Sequence, residues 1–149
     1  MTRKRVLPPT YLLVAILAMI GLYFLLPMGT LAPFPWNLAG VVPLLIGLVL
    51  AIIADRAFKE HKTTVKPFEP SSVLVTEGTF SFSRHPMYLG FVLLLLGIAV
   101  LLGALAPFVV VLVFAVLMDQ VFIRVEERMM EEQFGDAWRA YKRRVRRWL

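Results

Sequence analysis

Residues 6 to 54 contain no charged side chain, a run of 49 consecutive positions. A membrane-spanning helix needs about 20 apolar residues, so a run of this length predicts two such helices joined by a turn. Proline and glycine mark the turn, and Trp36 follows it where an interfacial aromatic residue is expected. We therefore predict spans at about residues 11–26 and 37–54, separated by the turn residues Pro27, Gly29, Pro33 and Pro35.

A second uncharged run extends from His85, taken as neutral, to Met118. One helix of that length would be longer than the roughly 30 Å hydrocarbon core of a bilayer, so we expect a tight hairpin near residues 103–107. Its spans would cover about residues 87–105 and 108–123. Hydrophobic residues make up 59% of the chain, above the roughly 45–50% of soluble domains. The predicted fold class is one all-α integral membrane domain, residues 1–149, with four transmembrane helices.

All 16 Lys and Arg residues fall in three segments, residues 3–5, 56–84 and 124–147. The two predicted turns on the other side carry none. Because basic segments stay on the cytosolic side of a membrane, we expect both termini in the cytosol and a multi-pass protein of the cell membrane. We therefore attribute the net charge of +6 to membrane topology and to contact with anionic lipids, and not to nucleic acid binding.

Small residues recur on one face of span three, where Gly90, Gly97 and Ala104 are seven positions apart. Such a stripe allows two membrane helices to approach closely. Glycines scattered through a membrane helix without a packing role would give the same pattern, so both interpretations stay open at this stage.

Polar residues precede the predicted start of span three. Arg84 and His85 come directly before Pro86, which suits the first turn of a helix. His85 therefore places a titratable ring at a helix N-terminus, where backbone amides favour negative charge. An interfacial pair that touches lipid headgroups is the simpler alternative.

Glu126 and Glu127 follow the predicted end of span four. Carboxylates next to hydrocarbon are costly unless they are paired or functional. Because spans three and four form a hairpin, we expect both glutamates close to Arg84 and His85. Such a cluster suits a cationic ligand that also carries an anionic group, and a solvated acidic turn that pairs with Arg128 is the alternative. The chain has no cysteine, which excludes a thiolate metal site, and we predict no metal site.

The C-terminal segment is amphipathic. Apolar residues recur at spacings of three and four, as on one face of a helix, and Gly135 interrupts the pattern. Basic residues fill much of the rest, which is typical of a helix that lies on an anionic membrane surface, and we prefer that role to direct catalysis. The apolar positions are Met130, Phe134, Trp138, Tyr141, Val145 and Trp148.

Three motifs occur in order along the second half of the chain: Arg84-His85-Pro86-Met87-Tyr88-Leu89-Gly90, then Glu126-Glu127, then Phe134-Gly135 with Tyr141. Together they resemble the membrane methyltransferases, a superfamily that includes isoprenylcysteine carboxyl methyltransferases and phospholipid N-methyltransferases. The resemblance covers about residues 63–149. It implies S-adenosylmethionine as cofactor, bound by about residues 63–90 and 119–149.

The resemblance also implies roles for individual residues. Arg84 and His85 would face the methionine carboxylate or the ribose of the cofactor, and Glu126 its amino group. An amine acceptor would need a base, for which Glu127 is the candidate. The remaining cofactor-binding residues would be Leu74, Val75, Phe80, Pro86, Met87 and Tyr88.

The sequence departs from the family pattern in three places. Family members often have Gly-Pro-Tyr-Arg where this chain has residues 78–81, so Phe80 lacks a hydroxyl, and Trp138 replaces a common tyrosine. In the isoprenylcysteine branch an arginine that holds the substrate carboxylate lies one helical turn before the first glutamate. That position here is Phe122, which weakens the expectation of prenylcysteine carboxyl methylation and leaves cofactor use unaffected.

The predicted function is methyl transfer from S-adenosylmethionine to a lipid or another membrane-partitioned acceptor at the cytosolic face, similar to isoprenylcysteine carboxyl methyltransferases. A phospholipid amine of the phosphatidylethanolamine type is an alternative acceptor. A non-catalytic four-helix membrane protein, such as a small transporter, is the alternative from another class. A transporter would bury ionisable residues in mid-span, and spans one to three contain none.

Reporter fusions test the topology. Fusions after Met28 and near Ala106 should read as external, and fusions after Lys62 or Leu149 as internal, because basic segments are retained in the cytosol. An external reading at Leu149 would contradict the predicted site, since it would separate the glutamate pair from cytosolic cofactor.

Overall fold

The structure is a computed structural model that describes residues 7–26, 28–62 and 71–149. In these residues the secondary structure is helical, apart from one isolated antiparallel bridge between Thr30 and Ala104. The predicted turn residue Pro27 and residues 63–70 of the predicted cofactor region lie outside them. The α-helices are α1 Pro8–Leu25, α2 Val41–Glu60, α3 Pro86–Leu102, α4 Ala106–Met118 and α5 Arg124–Arg144.

Three shorter helical turns connect these helices. A 3₁₀ turn, Trp36–Gly40, leads into α2, and a second, Gly78–Ser81, precedes α3. A π-helical turn, Asp119–Ile123, joins α4 to α5 without a break. The helix that contains predicted span four therefore continues past residue 123, and the bounds of the span itself stay a prediction. The helix continues into the charged segment, and Gly135, with φ of 50° and ψ of −117°, interrupts α5 where the sequence predicts a break.

Among the described residues, three helical segments are long and apolar enough to cross a membrane, namely Pro8–Leu25, Trp36–Glu60 and Ala106–Arg144. The apolar helix α3 is shorter, with 17 residues, and is about 26 Å long at 1.5 Å per residue. The all-helical membrane fold is confirmed, and the crossing of all four helices stays a prediction. The helix that contains predicted span two, α2, continues past residue 54 to Glu60.

The hairpin between α3 and α4 lies where the sequence predicts it. Gly103 ends α3 with φ of 68°, a left-handed conformation that glycine adopts without steric cost. Its carbonyl accepts a hydrogen bond from the amide of Leu31 at 2.7 Å, and the amide of Leu105 donates to the carbonyl of Met28 at 3.2 Å. The turn after α1 and the α3–α4 hairpin are thus joined at the end of the bundle opposite the polar motifs.

Two pairs of glycines allow α2 and α3 to pack backbone against backbone. A Cβ atom added at Gly97 would lie 2.6 Å from the carbonyl oxygen of Gly40, and one added at Gly90 would lie 2.7 Å from that of Gly47. The predicted small-residue stripe is therefore confirmed for Gly90 and Gly97. Its third member is wrong, because Ala104 lies beyond the end of α3 in the hairpin.

The apolar core lies between α1, α3 and α4. Aromatic contacts close it at the end that carries the polar motifs, where the rings of Tyr11 and Phe122 meet edge to face with centroids 5.4 Å apart. This packing brings the start of α3 next to the start of α5. The core includes Ala15, Met19, Leu95, Ala99, Phe114 and Met118.

The glycine contact between α2 and α3 can be tested by substitution. Gly97→Ala should destabilise the protein by about 1–3 kcal/mol, the usual cost of overpacking, and lower its melting temperature in detergent. Gly21→Ala is the matched control, because a Cβ atom at Gly21 meets nothing within 4 Å. Equal melting temperatures for Gly97→Ala and wild type would show that the two helices are not in backbone contact.

Candidate functional site

The C-terminal segment holds the backbone just before α3. The amide of Arg84 donates to the carbonyl of Arg146 at 3.0 Å. The buried hydroxyl of Ser83 donates to the carbonyl of Arg147 at 3.3 Å and accepts from the amide of His85 at 3.2 Å. Arg84 and His85 are therefore fixed at the start of a helix, where the sequence predicts them, by residues more than 60 positions away.

Glu127 is the centre of an ion-pair cluster. Its Oε1 accepts from Nε and Nη2 of Arg84 at 3.1 and 2.8 Å, and its Oε2 accepts from Nη2 of Arg147 at 2.6 Å. Nε2 of His85 lies 3.4 Å from Oε1. The side chains of Arg84 and Glu127 are each 7% exposed, so both charges are largely desolvated and depend on one another.

This environment bears on the role of Glu127, which lies beyond the apolar part of the α4–α5 helix. Burial alone would raise the pKa of its carboxyl, but hydrogen bonds from His85 and Arg147 and the charge of Arg84 outweigh burial and hold the pKa well below its usual range. A carboxylate of such low pKa, with both oxygens engaged, is a weak proton acceptor. The geometry therefore does not support Glu127 as the catalytic base.

Glu126 lies on the other side of the His85 ring. Nδ1 of His85 is 3.6 Å from Oε2 of Glu126, and the hydroxyl of Tyr88 donates to Oε1 at 2.5 Å. Burial lowers the pKa of His85, but the hydrogen bonds and charges of Glu126 and Glu127 together raise it by more. The pKa of His85 is therefore above its usual value. The structure thus brings His85 and Glu126 together across the α3–α4 hairpin, as the sequence predicts.

A cavity of about 60 Å³ lies beside this cluster. Part of its lining was predicted from the sequence, namely Leu74, Val75, Phe80, Arg84, His85 and Glu126. The rest was not assigned to the site, namely Phe58, Ser71, Val73, Met130, Trp138 and Tyr141.

The other predicted site residues do not line this cavity. Pro86 is buried in the first turn of α3. Met87 packs against the small cluster that contains Phe80. Tyr88 reaches Glu126 through its hydroxyl, while Met87 and Tyr88 line a separate groove between α1, α2 and α3. Tyr88 therefore stands between two compartments.

The aromatic face of α5 covers the site. Trp138, Tyr141 and Val145 are buried and pack near Leu74, and the hydroxyl of Tyr141 donates to the carbonyl of Phe80 at 2.6 Å. The protein itself therefore buries the aromatic face, while contact of the basic face with an anionic membrane surface stays a prediction. A period of three to four residues marks an apolar face without identifying what the face contacts. The basic side chains Lys142, Arg143, Arg144 and Arg146 remain exposed.

Two further residues of the site escaped the sequence analysis. Arg147 binds Glu127, and also Asp119 at 3.1 Å, but in the sequence it is one member of a basic run with nothing to distinguish it. Trp138 lines the cavity, its ring centroid lies 5.9 Å from the Arg84 guanidinium carbon, and its indole N–H is buried without a hydrogen-bond partner in the described part of the chain.

The departures from the family pattern have structural counterparts. Phe80 lacks a hydroxyl, but its backbone carbonyl accepts the Tyr141 bond and its ring meets that of Phe58 edge to face at 5.1 Å. Phe122 is 1% exposed and lies between the rings of Tyr11 and Tyr88. The position that carries an arginine in the isoprenylcysteine branch is therefore part of the apolar core.

Comparison with known proteins agrees with the motifs. The phospholipid methyltransferase family model matches residues 36–137. The protein-S-isoprenylcysteine O-methyltransferase of Schizosaccharomyces pombe is 33% identical over 97 residues, which cover 63% of this chain and 35% of the relative. The enzyme of the same name from Saccharomyces cerevisiae is 34% identical over 145 residues, which cover 88% of this chain and 58% of the relative. The chain thus spans well under two thirds of either relative.

A solved structure has a similar fold. It is that of the eukaryotic intramembrane Ras methyltransferase, isoprenylcysteine carboxyl methyltransferase, with a TM-score of 0.66 and 22% sequence identity. The match covers 95% of this chain and 51% of the solved one. The helical arrangement described above is therefore an established membrane fold.

The ion-pair cluster predicts a stability effect. Glu127→Gln leaves Arg84 without its anionic partner, and breaking a buried pair in this way should cost about 3–5 kcal/mol. The measurement is the melting temperature in detergent, with Glu132→Gln as control, because Glu132 is exposed on the same helix. A Glu127→Gln protein as stable as the control would show that the cluster does not hold the C-terminal segment.

Proposed function

Because the chain belongs to the phospholipid methyltransferase family, we propose that it transfers a methyl group from S-adenosylmethionine to a lipophilic acceptor at the cytosolic face of the membrane. Its fold is that of a membrane methyltransferase. The observation that carries the proposal is the His85–Glu126–Tyr88 cluster, which is buried at the end of the bundle next to an aromatic-lined cavity.

The chemistry of the donor set fits the cofactor. S-adenosylmethionine carries an ammonium, a carboxylate and an adenine ring. Glu126, with a side chain 20% exposed, offers a carboxylate for the ammonium, and Arg84 and His85 offer positive charge for the carboxylate. The buried indole N–H of Trp138 is an unused donor at the cavity wall. A cavity of about 60 Å³ is below the roughly 300–1,000 Å³ of ligand pockets, so its walls must move apart on binding.

The residues of the chain act by positioning and by excluding water. S-adenosylmethionine supplies a methyl group on trivalent sulfur, which is electrophilic without further activation. Glu126 and His85 orient the ligand, and Trp138 and Tyr141 exclude water from it, which are the contributions that a group transfer of this kind requires. Glu127 is reassigned from base to positioning residue, because its carboxylate holds Arg84 and Arg147 in place.

The acceptor has two candidate classes. The named substrates of the two yeast relatives favour a lipophilic carboxylate, although this chain has Phe122 where their branch has an arginine. The family model favours a phospholipid amine, which would have to lose a proton during the reaction. Glu127 is engaged in ion pairs, so an acceptor that is already anionic suits the site better. A transporter is the weaker alternative, since transport would not explain the clustering of His85, Tyr88 and Glu126.

The proposal includes the orientation of the chain. Four helices cross the cell membrane, and both termini face the cytosol, because the three basic segments carry all 16 Lys and Arg residues. The ends of α2 and α4 and the start of α3 then lie at the cytosolic side. Cofactor reaches the cluster from the cytosol, and the acceptor reaches it from the bilayer.

Binding of S-adenosylmethionine to purified protein in detergent tests the proposal. Glu126→Gln keeps the size of the side chain and removes its charge, so it should weaken binding by about 1.5–3 kcal/mol, the range for hydrogen bonds to charged groups. His85→Ala should also weaken binding, and the double variant should lose less than the sum, because both residues contact one ligand.

Glu131→Gln is the control for this experiment. Glu131 lies on the same helix, pairs with Arg139 at 3.2 Å and is not part of the cavity wall, so its variant should bind like wild type. Melting temperatures confirm that each variant is folded. Wild-type affinity in a folded Glu126→Gln protein would mean that the cofactor site is wrongly assigned.

A further inference from the structure

A groove of about 430 Å³ lies between the start of α1, the end of α2 and the start of α3. Its walls are mainly apolar, with Pro8, Ala51, Ile52 and Phe91 among them. Leu7 is 47% and Ile52 is 44% exposed, and in a membrane such apolar surface faces hydrocarbon. The volume is in the range of ligand pockets, roughly 300–1,000 Å³. A lipid chain can therefore enter this groove from the bilayer.

Charged residues lie at one end of the groove. Asp55, Arg56 and Lys59 come from the last turns of α2. Asp55 and Lys59 form an ion pair with each other, which leaves their combined charge near zero. Arg56 is exposed and has no ion-pair partner among the described residues. The groove thus offers an apolar channel that ends at Arg56, a positive charge without an ion-pair partner in the described part of the chain.

Tyr88 connects the groove to the cofactor cluster. Its ring lines the groove, and its hydroxyl donates to Glu126, which lines the cavity on the other side. The Tyr88–Glu126 hydrogen bond is therefore the partition between a lipid-facing compartment and the proposed cofactor compartment. A ligand in the groove would therefore lie on the other side of Tyr88 from the proposed cofactor compartment.

We propose that this groove binds the methyl acceptor, a single-chain amphiphile whose carboxylate head pairs with Arg56 and whose chain lies against Ile52 and Phe91. The inference rests on the proposed function and adds the acceptor site and its selectivity. One unpaired guanidinium matches the single charge of a carboxylate in a bidentate geometry. It repels an amine, and it forms no ion pair with an alcohol. Arg56 on α2 thus takes the role for which Phe122 is unsuited.

The reaction of such an acceptor balances without a base. An oxygen of the acceptor carboxylate forms the bond to the methyl carbon while the bond from that carbon to sulfur breaks. The electron pair stays on sulfur, the product is a methyl ester, and no proton moves. This agrees with a site in which Glu126 accepts from Tyr88 and Glu127 is engaged by two arginines.

Photo-crosslinking tests the groove directly. The probe is a palmitate analogue with a diazirine in its chain, added to the purified chain in detergent, and labelled peptides are mapped by mass spectrometry. Label is expected in peptides that contain residues 51–59 or 87–91. Excess oleate should compete, and oleyl alcohol and oleylamine should compete at least about tenfold less well, a difference of about 1.4 kcal/mol.

Two variants complete the test. Arg56→Gln should reduce groove labelling at least about tenfold, and Arg143→Gln, which removes an exposed positive charge elsewhere, should not change it. Ile52→Trp should block the groove and reduce labelling whatever the head group. Equal competition by the alcohol, better competition by the amine, or full labelling of either groove variant would overturn the proposal.

Binding of S-adenosylmethionine is measured on the same samples. Neither Arg56 nor Ile52 contacts the cofactor cavity, so both variants should bind it like wild type. Cofactor binding without selective groove labelling would refute the acceptor site alone. Selective labelling without cofactor binding would refute the proposed methyl transfer and leave a carboxylate-binding groove.

Discussion

The buried carboxylate of Glu127 is the contact on which the site depends. It joins Arg84 before α3, its own helix α5 and Arg147 just after α5, and Arg84 is 43 positions before Glu127. A desolvated anion of this kind is tolerated only when its partners are in place. The position of the aromatic face of α5 follows from these ion pairs, because the segment that brings Arg147 to Glu127 also brings Trp138 and Tyr141 over the cavity. The ion pairs therefore determine the position of the cover as well as the base of the site.

A second consequence is the separation of two compartments by one hydrogen bond. On one side lies a small polar and aromatic cavity with His85 and Glu126, and on the other an apolar groove that ends at Arg56. Tyr88 belongs to both through its hydroxyl and its ring. Close packing of α2 and α3 through Gly47 and Gly90 keeps the groove walls together. In the proposed reaction, the methyl donor and the lipophilic acceptor would have separate entrances and a common boundary.

The sequence predicts the parts of this structure that local pattern determines. Long uncharged runs predict the apolar helices, Gly103 predicts the hairpin, and the hairpin brings Glu126 to His85. The sequence does not predict which cation pairs with Glu127. Arg147 is one of several arginines in a run, and only the tertiary structure distinguishes it. The sequence also assigns Trp138 to the membrane surface, since periodicity gives the apolar face of a helix and not its partner. The glycines of α2 escaped notice because their partners are in another helix.

The most direct measurement of the central claim is transfer of labelled methyl from S-adenosylmethionine into an organic extract of membrane lipids by the purified protein. The account predicts transfer by wild type, with the label released by mild base as expected for a methyl ester. It also predicts that the Glu126→Gln protein, shown to be folded by its melting temperature, transfers far less methyl at the same cofactor concentration. The account would be contradicted if folded wild-type protein bound neither cofactor nor lipid and transferred no methyl. It would also be contradicted if wild type and Glu126→Gln transferred methyl equally.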